Sequence, residues 1–458
     1  MLTQTRLAGP PETLTHPDTL KRHLAQTLRI GLPLAGSLLA QMAMGTTDTI
    51  MLGALGPDAL AAGGLGTSIE ITVMVVLQGV LSAVSILVAQ ARGAARASEI
   101  PALYWTGMLL ALLLIVPAFL LFGLAEPLLR LAGEPPDLSR DVGAFVAILR
   151  WCIPGAMIGM GLMRAFLPAI DAGWIILPVT LVAVLANAAL CYGFIHGAGG
   201  LPEMGQQGAA MATAITMTLM AAALLLLTHA SPSRRTLVRW SPPRPALIRT
   251  MLRLGLPIGA TFAVETGLFF AVALLIGTIG APALAAHQVA LTTISVAFMI
   301  PLGLAQAANV RVGHCVGARN LQAARRAGLV AIALAAGFEF ACAIAILLRS
   351  GRVIALYLGP AETEAAALAT TLLGVAALFQ VADGVQCVAA GALRGLGDTR
   401  IPFALAAAGY WGLGFPLAWW LCIHAGWGAV GAWCGLAAGL GTVSTLLTLR
   451  FIHRASDR

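Results

Sequence analysis

Leu28-Arg29-Ile30-Gly31-Leu32-Pro33 recurs as Leu252-Arg253-Leu254-Gly255-Leu256-Pro257, 224 residues further along the chain. The same offset, without a gap, lays Gly56 on Gly280 and Ala59-Leu60-Ala61-Ala62 on Ala283-Leu284-Ala285-Ala286. It also lays Gly93-Ala94 on Gly317-Ala318. Alanine and leucine are so common here that isolated matches mean little, but a gap-free register through two apolar stretches and their flanks is hard to obtain by chance. The ends of the copies agree too, since Gly205-x-x-Gly208-Ala209 matches Gly428-x-x-Gly431-Ala432. The chain therefore reads as two homologous halves.

What the halves are follows from composition. Of 458 residues, 59% are hydrophobic and only 10% charged, and the mean hydropathy is +0.90. A soluble domain carries roughly 25% charged residues, so this chain has too little charge to cover a surface in water. A helix needs about 20 apolar residues to cross the hydrocarbon core. Windows of that kind fall near 28–50, 68–90, 103–124, 143–163, 172–195, 206–229, 254–279, 286–309, 327–348, 366–392, 402–423 and 427–449. The expectation is an all-α membrane protein of twelve transmembrane helices in two six-helix bundles. Six crossings return the chain to the side it left, so the halves enter in the same direction. They form a parallel pseudo-two-fold repeat about an axis along the membrane normal, with the substrate path between them. The predicted organisation is a tail over 1–27, an N-terminal lobe over 28–230, a basic linker over 231–251, a C-terminal lobe over 252–450 and a tail over 451–458.

Arginine placement predicts the orientation, because cytoplasmic loops retain Lys and Arg. The connection after the sixth window carries Arg234, Arg235, Arg239, Arg244, Arg249 and Arg253, and the one after the eighth carries Arg311, Arg319, Arg325 and Arg326. Arg92 and Arg96, Arg164, and Arg394 with Arg400 mark the other even-numbered connections, while odd-numbered ones are poor in charge or mixed. Both termini are predicted on the cytoplasmic side of a bacterial inner membrane. This placement also accounts for the net charge of +8 without invoking nucleic acid. Residues 1–27 are polar and Pro-rich and lack the apolar core of a cleavable signal. The seven cysteines are scattered without a CxxC pair, so neither a disulfide framework nor a metal cluster is expected.

A charge at the bilayer centre costs roughly 2.5–3.5 kcal/mol on insertion scales, which makes buried acids the functional candidates. Asp48, Glu70, Glu265, Glu339 and Asp383 fall within the windows, no Lys does, and Arg150 is the one Arg well inside. Asp48 lies among Thr46, Thr47 and Thr49, hydroxyls suited to a wet site or a cation. Glu265 has Thr261 and Thr266 nearby and Phe269 and Phe270 about a turn on, a setting suited to a lipophilic cation through charge and cation–π contact. Under the repeat register Glu265 replaces Gln41. Asp383 is flanked by Gln380 and Gln386, three residues to either side, so the tenth span carries a polar stripe that must face the interior. Glu70 opens the second span at the interface. Glu339 reads either as a partner of Arg150 or as lying less deep than its window implies. Gln78, Asn187, Thr213, His287, Gln288, Gln306 and Asn309 mark the interior less specifically, since helix–helix hydrogen bonding explains most such residues.

These residues resemble the multidrug and toxic compound extrusion family, in its NorM-like bacterial branch. The resemblance rests on Thr47-Asp48-Thr49-Ile50-Met51-x-Gly53 with Leu60-Ala61-Ala62, and on Ala285-Ala286-His287-Gln288-Val289-Ala290. It rests further on Met299-Ile300-Pro301-x-Gly303 with Arg311-Val312-Gly313, and on Gln380 through Leu393-Arg394-Gly395. It covers the chain from about residue 25 to 450.

The resemblance implies a V-shaped cavity between two bundles and drug efflux driven by proton or sodium influx. A membrane enzyme is not expected, for lack of a nucleophile, metal cluster or phosphate loop, and no cofactor is expected. It carries the C-terminal-lobe acids onto Glu265 and Asp383, which would also hold Na+ if sodium is the ion. It carries the N-terminal-lobe cation site onto Asp48, Asn187 and Thr213. Cys191 stands where relatives often have an oxygen ligand, and the eighth span offers no tyrosine beside the acids; hard cations want oxygen, so both absences favour protons. Gln41, Gln288, Gln380 and Phe269 complete the expected binding residues. The expected substrates are lipophilic cations, the surroundings membrane lipid, the state a monomer. A lipid-linked oligosaccharide flippase is the alternative, but that cargo calls for a strongly basic cavity and the candidates here are acidic.

Overall fold

The computed structural model describes residues 19–359 and 362–456. Residues 1–18 of the predicted N-terminal tail, and 457 and 458 of the C-terminal one, lie outside the described residues. Among those described, every regular element is helical. Eleven are long and apolar enough to cross a membrane. They are α2 (Pro57–Gly93), α3 (Ala97–Gly123), α4 (Cys152–Ala169), α5 (Gly173–His196), α6 (Gln206–Ala230), α7 (Pro245–Gly277), α8 (Ala281–Gly317), α9 (Leu321–Ile354), α10 (Thr363–Gly395), α11 (Arg400–His424) and α12 (Gly428–Arg454). Ahead of them runs α1 (Leu20–Ala54). Its 35 residues exceed the length needed for a span, but Pro33, Ser37, Gln41 and the Thr46–Thr49 cluster dilute its apolar content. The fold is the expected one of twelve membrane helices in two repeats. Most helices extend past the hydropathy windows, because their ends are polar and emerge from the apolar layer.

The chain forms two compact units. The first contains Gly36–Gly259; the second contains Ala260 onward together with the start of α1 up to Ala35. Each unit thus takes the leading segment of the helix that opens the other repeat, and the opening hexapeptide shows why. In the second unit Gly31 packs on α8, where a Cβ on it would stand 2.9 Å from Leu304 Cδ2. In the first unit Gly255 packs on α2, where a Cβ would stand 2.2 Å from the Val80 carbonyl oxygen. Leu304 and Val80 are themselves 224 residues apart. The repeated glycine is a close helix crossing made twice, and small residues are what let membrane helices approach.

Around these crossings the cores are built largely of Ala, Leu, Ile and Val, with fully buried Tyr104 and Phe166 in the first unit and Trp433, Tyr410 and Phe451 in the second. Large apolar side chains such as Leu185, Leu348 and Leu378 are more than 70% exposed on the helices, which is stable only against lipid. The linker is pinned to the first unit: Trp105 Nε1 donates to the Val238 carbonyl at 3.1 Å, and the Arg244 amide donates to Thr106 Oγ1 at 3.2 Å.

Two spans contain π-helical turns. The α4 span has one stretch over Ala156–Met163, and α11 has two, over Ala408–Gly414 and Trp420–His424. Such widened turns gather at functional sites, and the first stretch in each span adjoins the polar groups described next.

Several arginines read as loop markers lie inside helices instead, three of them buried. Arg164 is 7% exposed within α4, and Arg311 is 2% exposed within α8, where its guanidinium donates to the His23 carbonyl at 2.9 Å and to Gln26 Oε1 at 3.1 Å. Arg92 is buried at the end of α2 and pairs with Asp171 at 3.1 Å. Apolar windows place charges at their margins and so miss an arginine whose partners are supplied by another helix. Arg150, conversely, sits at the break between helix Pro136–Leu149 and α4, its guanidinium 5.6 Å from the Phe119 ring centroid.

Candidate functional site

In the first unit, Asp48 and Thr213 come together from α1 and α6: Thr213 Oγ1 donates to Asp48 Oδ2 at 3.2 Å. Asp48 Oδ1 is buried and has no hydrogen-bond partner. The Cys191 thiol of α5 stands beside the same carboxyl. Asn187, one turn earlier on α5, is fully buried with both amide atoms unpartnered. Thr46, Thr47 and Thr49 donate to the carbonyls of Met42, Ala43 and Gly45 in their own helix. Their protons are thereby committed to the backbone of their own helix, and Thr46 and Thr49 are exposed.

Deeper on α1, Gln41 Oε1 accepts from Arg164 Nη1 at 3.2 Å, and Gln41 Nε2 lies 2.9 Å from Met160 Sδ. Arg164 Nη2 also reaches Ser37 Oγ at 3.4 Å. Among the described residues this buried guanidinium is thus held by neutral groups.

The second unit places an acid at the equivalent station. Glu265 on α7 is flanked by Arg394 and Gln386 of α10, and the Arg394 guanidinium lies 4.9 Å from the Phe262 ring centroid. The two arginines share a local pattern, Gly-x-x-Arg: Gly161-Leu162-Met163-Arg164 in α4 and Gly391-Ala392-Leu393-Arg394 in α10. Gln41 with Arg164, and Glu265 with Arg394, are therefore corresponding pairs, and only the second has a carboxylate.

Asp383 is buried on α10 with Oδ1 unpartnered, and both Glu265 and Glu339 face it. Tyr410, from the π-helical stretch of α11, is fully buried and lies near Glu265, Asp383 and Gln386. Gln380 is spent elsewhere, its Nε2 donating to the Glu339 carbonyl at 3.4 Å. Phe269 packs on the core of this unit, while Gln288 and Phe270 are exposed. His287 is a packing residue whose Nδ1 accepts from Trp433 Nε1 at 3.1 Å.

A family model described as MatE matches the chain twice, over residues 33–193 and 257–420. The two matches begin at Pro33 and Pro257, in the register of the internal repeat.

The chain belongs to the MatE family.

The probable multidrug resistance protein NorM of Burkholderia pseudomallei is 50% identical over 99% of this chain and 96% of its own length. The multidrug resistance protein NorM of Burkholderia vietnamiensis is 49% identical, with 98% of both chains covered. Among solved structures, a eukaryotic MATE transporter superimposes with a TM-score of 0.86 at 22% identity, over 95% of this chain and 98% of its own. A MOP superfamily transporter from Pyrococcus furiosus gives 0.88 at 19% identity, over 100% and 98%. MatE proteins are multi-pass membrane transporters, not enzymes, and this chain is one of them.

Sequence reasoning misses two members of the second unit's cluster, Arg394 and Tyr410. Arg394 reads as a loop marker, because its partner Glu265 is 129 positions away in the sequence. Tyr410 carries no signal, as a lone tyrosine in an apolar span reads as packing. Glu339 is legible as an acid within a span, but its neighbours are Gln380, Gly384 and Asp383 of its own unit, not Arg150. A polar group on the inner face of each neighbouring helix was the available hint.

Proposed function

We propose that the protein is a multidrug efflux transporter of the bacterial inner membrane that exchanges small lipophilic cations for a monovalent cation, proton or sodium, by alternating access. The observation that carries this reading is the half-buried Glu265 within electrostatic reach of the buried Asp383, with Gln386 and Tyr410 beside them. Two carboxyls close together out of water do not both stay charged without a cation. They hold the coupling ion or the positive charge of a substrate, and one displaces the other. The NorM relatives' described role in multidrug resistance supports the cargo class.

Fold alone does not choose that cargo. The Pyrococcus furiosus protein of the same fold is described as having a binding pocket of reversed polarity. Here the acids choose it, and they disfavour the flippase reading. Either coupling ion fits the cluster, because α11 supplies in Tyr410 the phenol that the eighth span lacks. In the first unit, Asp48 with Thr213 is the coupling group, with Asn187 nearby on α5, and protonation there acts on α1 above Pro33. Cations enter from the periplasm and both termini lie in the cytoplasm.

The test uses everted vesicles loaded through a fluorescent cationic dye, with imposed proton or sodium gradients. Asp383→Asn and Glu265→Gln insert normally and lose gradient-driven dye accumulation. Wild-type rates in both variants would sink the assignment.

A further inference from the structure

Glu339 of α9 has no part in the reading above, and its surroundings are unusual. Its side chain is fully buried, and neither carboxyl oxygen is held in a well-formed hydrogen bond, though the Gln380 side chain stands beside the carboxyl. An isolated carboxylate is not sustained in such a place; it must be neutralised or paired. A purely packing role would be served by an apolar side chain, and a hydrogen-bonding role would leave the oxygens partnered.

The side chain is also given room at one particular point. A Cβ on Gly384 would stand 2.6 Å from Glu339 Cγ and 3.2 Å from Pro301 Cγ of α8. Glycine directly after Asp383 therefore lets the Glu339 side chain lie against α10 beside that acid. One turn earlier, Gln380 Nε2 ties α10 to the Glu339 carbonyl. The ionisable groups within electrostatic reach of Glu339 are Asp383 and Cys387 of α10 and Cys342 of its own helix, and Pro301 of α8 packs at the same point. All of this lies within the second unit.

We propose that Glu339 is a third cation-binding carboxyl of this cluster, holding a monovalent coupling cation in addition to the one shared by Glu265 and Asp383. The inference rests on the coupled-efflux reading and deepens it: the second unit carries two coupling cations per cycle. With Glu339 neutralised by its own cation, Asp383 is free to exchange the other for substrate.

The experiment is a reversal measurement in proteoliposomes of the full-length protein. The substrate gradient is held fixed, and the opposing proton or sodium gradient that stops net flux gives the number of cations exchanged per substrate. In Glu339→Gln that number falls by one while transport persists, and Glu339→Asp restores it. An unchanged number in a transporting Glu339→Gln overturns the proposal. Absence of any cation-driven flux in the wild type overturns the coupled-efflux reading itself, which is a separate outcome. Should Glu339→Gln fail to insert, the wild-type protein still decides. Dicyclohexylcarbodiimide attacks protonated carboxyls in apolar surroundings, and mass spectrometry locates the adduct. Labelling of Glu339 that declines from acid to alkaline pH identifies a proton, and protection by sodium at fixed pH identifies sodium. Labelling indifferent to both, or none at all, overturns the proposal.

Discussion

Gln41 and Glu265 occupy corresponding stations in the two repeats, and one charge separates them. Arg164 meets only neutral oxygens, whereas Arg394 faces a carboxylate. Charge-assisted hydrogen bonds are roughly twice as strong as neutral ones. Gln41→Glu therefore gives Arg164 an ionic partner and raises stability by about 1 kcal/mol, read as a higher midpoint in detergent unfolding; a fall would show that the new acid is not paired. A second residue-scale test concerns His287, whose imidazole receives the Trp433 indole within the core. Hydrogen bonds between membrane helices average about 0.6 kcal/mol and reach about 1.7. Trp433→Phe lowers stability by an amount in that range, plus a small packing loss, and leaves cation coupling unchanged in the dye assay.

At the scale of elements, the repeated Gly-Leu-Pro makes two crossings of unequal tolerance. The methyl of Gly255→Ala would meet a backbone carbonyl of α2, which cannot move without moving the helix. The methyl of Gly31→Ala would meet the tip of Leu304, a flexible side chain. Overpacking typically costs about 1–3 kcal/mol, so Gly255→Ala falls in that range and Gly31→Ala near its lower end. Equal midpoints for the two variants in chemical unfolding would contradict the asymmetry. Another element-level tie joins the end of α12 to the turn after α10, where Arg450 contacts the mostly buried Asp398 at 2.7 Å. Removing one partner of a buried pair costs about 3–5 kcal/mol. Arg450 is 27% exposed, so solvent screening reduces the loss for Asp398→Ala to about 1–2 kcal/mol; this loss appears as lower yield of folded protein and a lower unfolding midpoint.

For the whole molecule, twelve crossings predict both termini on one side, and the arginines predict that this side is the cytoplasm. A fluorescent protein fused at the C-terminus glows and an alkaline phosphatase fused there stays inactive, because the former folds in the cytoplasm and the latter matures only outside it. The opposite pair of results would reverse the orientation. Several connection arginines used in that argument proved to lie within helices, including Arg164, Arg311 and Arg394. The orientation then rests chiefly on the linker, where Arg234, Arg235, Arg239 and Arg244 cluster outside the long spans.

The sequence by itself determined the repeat, the number of membrane helices and the acids Asp48, Glu265 and Asp383. Each of these is a property of composition or of register along the chain: apolar length, a gap-free offset, a charge where charge is costly. Only the tertiary structure decided what those acids meet. It brought Arg394, Tyr410 and Glu339 to the second unit's cluster, set Arg164 against Gln41, and exchanged the leading segments of α1 and α7 between units. Such partners are fixed by which helix faces pack together, and helix packing joins residues far apart in sequence by contacts that no local pattern encodes.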